Sequence, residues 1–242
     1  MYNSVKILLL KFLVLVIALI AVDFVGGIVL KNLFYKQKSG KYFTTTQALT
    51  NANQDILIFG NSHAVQHFDA PLMAKKLSKT VFNFGNQGQS LFYVYPLIKT
   101  ILNHHKPKLI IINLDYNEFH YDLTDYQRLS IFLPYYHFNS VVDSTIALMG
   151  NNEMLKSKSA LYRYNSTIGY MLLNTYHPTY NKSMLSLGFD PIQGDLCSSS
   201  NPIQELETKT EKVIFDRVKI NYFINLVKYI HSQNVKLLVT TT

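Results

Sequence analysis

The stretch Asp55-Ile-Leu-Ile-Phe-Gly-Asn-Ser-His63 constrains this chain more than any other. Ile56 to Phe59 is a short apolar run between polar residues, the pattern of a buried strand. It ends in Gly60-Asn61-Ser62-His63, and a helix-compatible segment follows from about Pro71. A serine at the carboxyl end of a parallel strand lies where open α/β sheets place their ligands. There it can draw on the positive end of the following helix. Because Gly-x-Ser also arises from turn chemistry alone, the stretch gains its weight from two further segments. Val81-Phe82-Asn83-Phe84-Gly85-Asn86-Gln87-Gly88-Gln89-Ser90 reads as a second strand entering a glycine-rich turn. Leu109-Ile-Ile-Ile-Asn113-Leu-Asp115-Tyr-Asn117-Glu118 reads as a third strand ending in polar residues.

Helical segments alternate with these strands: one after Pro71, one from Ser90 to His104, and one from about Glu205 to Ser232 that leads into a buried strand at Val235. The βαβ rhythm predicts an α/β fold with a doubly wound parallel sheet and right-handed crossovers. From His120 to Pro202 the rhythm breaks into a Tyr-, Asn- and Ser-rich insert, with helix-like pieces at Ser140–Met149 and Ser159–Leu173. The expected organisation is an N-terminal anchor over 1–31, a polar connector over 32–54, and an α/β domain over 55–242 with a helical insert at about 120–203. That length suffices for a sizeable core.

Together the three strand ends resemble the SGNH/GDSL hydrolase family, over roughly Asp55 to Glu118. The resemblance implies a flavodoxin-like SGNH fold. It assigns Ser62, in Gly60-Asn61-Ser62, as the nucleophile. It matches Asn83, Gly85 and Gly88 to the second block, Asn-x-Gly-x-x-Gly, with Gly88 giving an oxyanion-hole amide. It places the asparagine of the third block, a second oxyanion donor, on Asn117. The chain departs from the pattern at Asn61, where the family has Asp, at Asp115 for the block-three glycine, and at Glu118 for the Asp after the asparagine. His63, directly after the serine, is similar to a membrane-anchored subgroup linked to cell-envelope polysaccharide and teichoic-acid modification.

The family's late Asp-x-x-His, whose histidine is the general base, has no match. The residues three positions before the eight histidines are Gly60, Ala64, Ile101, Leu102, Asn117, Pro134, Asn174 and Lys228. A serine hydroxyl needs a base to take its proton. The expectation is therefore a sequence truncated before that block, with a pseudoenzyme as the alternative.

Phe12 to Leu30 is a nineteen-residue segment, apolar except for Asp23. A central aspartate costs about 2.5–3.5 kcal/mol on the insertion scale, against roughly 0.3–0.6 returned by each Leu, Ile, Val or Phe. More than a dozen such residues outweigh the carboxylate, and the segment is long enough to span. An uncleaved single-pass anchor in the cytoplasmic membrane is expected, because Ala21-Val-Asp-Phe-Val-Gly-Gly27 offers no convincing signal-peptidase site. Lysines flank both ends, so an extracytoplasmic position for the soluble domain rests on the family resemblance. Of the net charge of +8, Lys6, Lys11, Lys31, Lys36, Lys38 and Lys41 against Asp23 contribute +5. The rest of the chain has no basic stripe, which argues against a nucleic-acid partner. Cys197 is the single cysteine, so no internal disulfide forms. No His/Asp/Cys cluster has ligand spacing, so neither a metal nor another cofactor is expected.

Each candidate also has a plainer reading. Ser62 could cap a helix, Gly88 could serve a turn with positive φ, and Asn117 could satisfy loop backbone. His63 and His67 suit structural or surface roles, Asp69 and Asp115 loop or helix-start roles, and His104-His105 a helix end. Tyr162-Arg163-Tyr164-Asn165 and Gly188-Phe189-Asp190-Pro191 suit packing better than sugar stacking. The resemblance implies an ester hydrolase or acyltransferase acting on acylated envelope glycans, inactive as this sequence stands. The alternative is a non-catalytic binding or scaffold protein of an envelope-modification system.

Overall fold

Ile56–Phe59, Val81–Asn83, Leu109–Leu114 and Lys236–Thr241 form β1 to β4 of one four-stranded sheet in the order β2-β1-β3-β4. All pairs are parallel, in the register Ile56↔Val81, Ile56↔Leu109 and Leu109↔Lys236. This is a computed structural model, and it describes residues 2–38, 40–176, 187–192 and 213–241. The strand order reverses beside β1, so the carboxyl ends of β1 and β3 flank a switch point, where an open sheet leaves a crevice. The apolar runs behave as their composition requires: all four residues of β1 are buried, as are five of the six in β3. They pack with Ala64, Ala70 and Val81 into the core beside the sheet.

The segment after β1 is two helices, α3 (Ser62–His67) and α4 (Ala70–Leu77), where the sequence suggested one beginning near Pro71. The break has a local cause. Asp69 caps α4 by accepting from the Leu72 N–H at 2.8 Å, and a cap residue cannot also continue the preceding helix. Between β2 and β3 lies α5 (Leu91–Ile101), shorter than the Ser90–His104 expected, and nine of its eleven residues are buried. His104 and His105 follow its end, bonding the carbonyls of Thr100 at 3.1 Å and Gln54 at 2.8 Å. The helix leading to β4, α10 (Arg217–Ser232), starts at an Asp216 cap. The expected first part of that helix, residues 205–212, lies outside the described residues, as does Cys197.

β4 differs from expectation. It is exposed along most of its length, with Leu238 46% and Val239 39% accessible. The stretch expected as a polar connector also differs. The N-terminal helix α1 runs from Tyr2 to Tyr35, and α2 (Gly40–Thr50) buries Thr44, Thr45, Ala48 and Leu49. Small residues and threonines that read as linker composition are here the packed face of a helix.

The chain divides into two compact units. Residues 44–128 and 181–242 form the α/β unit, which includes the short helix α6 (Leu123–Gln127). Residues 1–43 and 129–180 form the other, so most of the expected insert belongs with the N-terminal helix. This second unit contains a 3₁₀ stretch ending at Tyr135, α7 (Ser140–Ala147), α8 (Asn151–Lys156), a 3₁₀ turn (Tyr162–Tyr164) and α9 (Ile168–Tyr176). The insert's other expected pieces, at 177–186 and 193–203, lie outside the described residues. Its centre is aromatic: the buried Phe34 ring of α1 lies 5.4 Å from Tyr42, 5.3 Å from Tyr135 and 5.7 Å from Tyr164. The Tyr135 hydroxyl donates to the Tyr42 carbonyl at 3.0 Å. Residues Ser4–Tyr35 of α1 are long and apolar enough to cross a membrane.

Candidate functional site

The carboxyl ends of β1 and β3 and the turn after β2 meet at a cleft of about 240 Å³ lined by Asn61, Ser62, Gly88, Asn117, Glu118 and His120, together with residues of α6 and α10. The three residues singled out in the sequence, Ser62, Gly88 and Asn117, are therefore brought together.

Each is held by local chemistry. Gly60 turns the chain at the end of β1 with φ +149°, and a Cβ there would lie 2.6 Å from the Asn113 carbonyl oxygen. No residue but glycine fits. Asn61 is the N-cap of α3: its Oδ1 accepts from the His63 N–H at 2.9 Å. Ser62 is thus the first residue of the helix, where a backbone N–H has no intrahelical acceptor. Gly88 has φ +70° and lies beside the Arg128 guanidinium, 3.5 Å from the position a Cβ would take. Asn83 is buried, and its amide ties the turn after β2 to α3. It donates to the carbonyls of Ala64 at 2.7 Å and Phe68 at 3.2 Å, and accepts from the Gly85 N–H at 2.9 Å.

Asn61 and Asp115 form a pair across the cleft floor: Asn61 Nδ2 donates to Asp115 Oδ2 at 2.9 Å. Asp115 Oδ1 accepts from the Tyr116 N–H at 2.8 Å. Glu118 is buried and accepts from the Leu91 N–H at 2.7 Å, capping α5 where the Ser90 side chain does not. Burial pushes its carboxyl up to about 7, against the opposing pull of the Leu91 N–H and of Lys219.

Lys219, from the first turn of α10, is 1% exposed. Its Nζ donates to the carbonyls of Glu118 at 3.0 Å and His120 at 2.9 Å, and pairs with the Asp125 carboxylate. One buried cation thereby fixes the loop after β3 that carries Asn117. Asp216 supports it, accepting from the N–H groups of Val218 and Lys219 and from the Tyr126 hydroxyl at 2.8 Å. Sequence reasoning missed Lys219, Asp125 and Arg128. A lysine on an amphipathic helix a hundred residues downstream looks like any solvated lysine, and only the fold brings it under the loop.

The remaining candidates do not assemble into a catalytic relay among the described residues. His120 lines the cleft, but its ring packs edge-on against Phe215 at 5.7 Å, and no histidine there hydrogen-bonds the Ser62 hydroxyl. The His63 and His67 rings lie 5.4 Å apart, tilted at 32°. Tyr162 bonds Glu153 at 2.6 Å, and the Arg163 guanidinium bonds the Ser157 carbonyl at 2.7 Å, so both serve packing in the second unit. No cluster of three or more His, Cys, Asp or Glu able to hold a metal occurs among the described residues.

The cleft therefore offers open groups of one kind. The N–H of Ser62, the N–H of Gly88, the Asn117 side-chain amide and the Ser62 hydroxyl have no hydrogen-bond partner among the described residues. Donors left open beside a hydroxyl suit an oxygen that carries or develops negative charge. The fold and cleft define an α/β protein with a polar strand-end site and an N-terminal helix able to span a membrane. No protein-family model matches the chain, and no curated protein matches it.

Proposed function

We propose that the chain is an SGNH-type acyl-ester hydrolase or acyltransferase, anchored in the cytoplasmic membrane by α1 and acting outside it on acyl groups of envelope glycans. One observation carries the reading: Ser62, Gly88 and Asn117, from three separate strand ends, line one cleft. In the reaction Ser62 Oγ attacks the acyl carbonyl and loses its proton to a base. The N–H groups of Ser62 and Gly88 and the Asn117 amide hold the oxyanion, and the alcohol leaves as the acyl-enzyme forms. Water or a sugar hydroxyl then takes the acyl group.

The three departures from the SGNH pattern are compatible with this reading because two answer one another and the third has a structural partner of its own. Asn61 and Asp115, each a substitution, bond together, and Glu118 caps α5. The proton acceptor is assigned to a residue outside those described. The same open donors also fit a second reading, a non-catalytic protein that binds an acylated envelope polymer.

A fluorophosphonate probe separates the two. Covalent labelling that disappears in Ser62→Ala supports the enzyme. Labelling absent from the natural protein when its membrane and any downstream sequence are present, with the fold intact by circular dichroism, refutes it and leaves the binding reading. Loss of one preorganised oxyanion donor, as in Asn117→Ala, is expected to slow labelling by about 10²–10³.

A further inference from the structure

Arg128 brings a guanidinium into the cleft with its donors open. The residue closes α6, where its backbone N–H bonds the Thr124 and Tyr126 carbonyls, and its side chain lines the cleft. That side chain is 46% exposed, and its one ion pair among the described residues is to Asp125 Oδ1 at 3.9 Å, beyond hydrogen-bond reach. Asp125 does not close on it because Lys219 takes the other oxygen of that carboxylate. The Arg128 guanidinium therefore has no hydrogen-bond partner among the described residues. Its central carbon lies 3.5 Å from where a Gly88 Cβ would stand, so the charge sits beside the turn whose amide faces the oxyanion.

The other charges of the lining are answered by the chain itself. Lys219 is buried and closed on Asp125 and on the carbonyls of Glu118 and His120. Asp115 accepts from the Asn61 amide and the Tyr116 N–H. Asp122 accepts from the Thr124 N–H at 2.7 Å and from the Thr124 hydroxyl, and Glu118 accepts from the Leu91 N–H. A second anionic group entering the cleft is repelled by these carboxylates and attracted at Arg128. A guanidinium is also the side chain whose planar fork matches a carboxylate or a phosphate with two parallel hydrogen bonds.

From these observations we propose that Arg128 is the subsite for an anionic group of the substrate, so that the cleft takes esters of acidic glycans, with a carboxylate or phosphate close to the acylated position. Arg128 acts in recognition, and Ser62, Gly88 and Asn117 act on the ester. The proposal rests on the reading of those three residues as the reacting end of the cleft, and the experiment separates the two claims.

The test is calorimetric titration of the full chain, in detergent micelles, with three oligomers: tetragalacturonate, a glycerol phosphate oligomer and neutral tetragalactose. Either charged oligomer binding about 10–100-fold more tightly than the neutral one is the expected result, and which of them does so tells carboxylate from phosphate. Arg128→Gln should abolish that preference. Arg128→Lys should keep only part of it, because an ammonium cannot form the paired bonds. Equal affinity for all three oligomers, or no measurable binding of any, overturns the proposal. So does a preference that persists in Arg128→Gln with an unchanged circular dichroism spectrum. If Arg128→Gln fails to fold, Arg128→Lys decides, and an undiminished preference there overturns the proposal. Fluorophosphonate labelling of Ser62 is measured on the same preparation. Preference without labelling keeps the anion subsite and removes the ester chemistry, whereas labelling without preference keeps the chemistry and removes the subsite.

Discussion

Glu118→Gln gives the sharpest test of how the cleft is built. In the folded protein this carboxyl is pushed from its ordinary value of 4.5 up to about 7, first by burial and against the stabilising Leu91 N–H. Between those two pH values the unfolded chain has released a proton that the folded chain still holds, so stability falls as pH rises. The favourable difference is fully present below about 4.5 and lost by about 7. At about 1.4 kcal/mol per pH unit the ceiling is about 3 kcal/mol. Glutamine keeps the acceptor for Leu91 and removes the titration. Urea unfolding of the α/β unit, followed in detergent solution at pH 4 and pH 8, should show the variant gaining stability relative to the natural chain between the two, by about 1–3 kcal/mol. A difference that is flat across that range, or that moves the other way, would refute the claim that Glu118 is buried beside the cleft as a carboxyl with a raised pKa.

Two further substitutions test the frame around it. Lys219→Met leaves the Asp125 carboxylate and two loop carbonyls without their buried partner and should cost about 3–5 kcal/mol. Lys219→Met combined with Asp125→Leu should recover part of that loss in the same unfolding assay, and the absence of any recovery would count against the pair. Gly60→Ala drives a Cβ to 2.6 Å from the Asn113 carbonyl at positive φ and should cost about 1–3 kcal/mol. Reduced probe labelling at Ser62 should accompany it, and an unperturbed Gly60→Ala protein would mean that the β1 turn is looser than described.

The local consequences of the residues were legible in the sequence. Apolar runs of four to six residues ending in glycine and amide groups specify strands and turns. β1, β2 and β3 formed where their side chains demanded burial on both faces, and Ser62, Gly88 and Asn117 followed at their ends. The long apolar helix at the N-terminus needed no tertiary information either, because it satisfies its own backbone hydrogen bonds. What stayed hidden depended on partners distant in the chain. β4 has the composition of a buried strand, yet most of its side chains are exposed, because whether a strand's faces are covered depends on elements elsewhere in the chain. The threonines of α2 are polar by count and buried by packing. Asp23 looked like a flaw in a membrane segment until three donors from residues 159–161 reached it, and Lys219 looked solvated until the loop after β3 closed over it. Periodicity reports which face of an element seeks burial. Only the assembled chain decides which buried charges find the hydrogen bonds that let them stay.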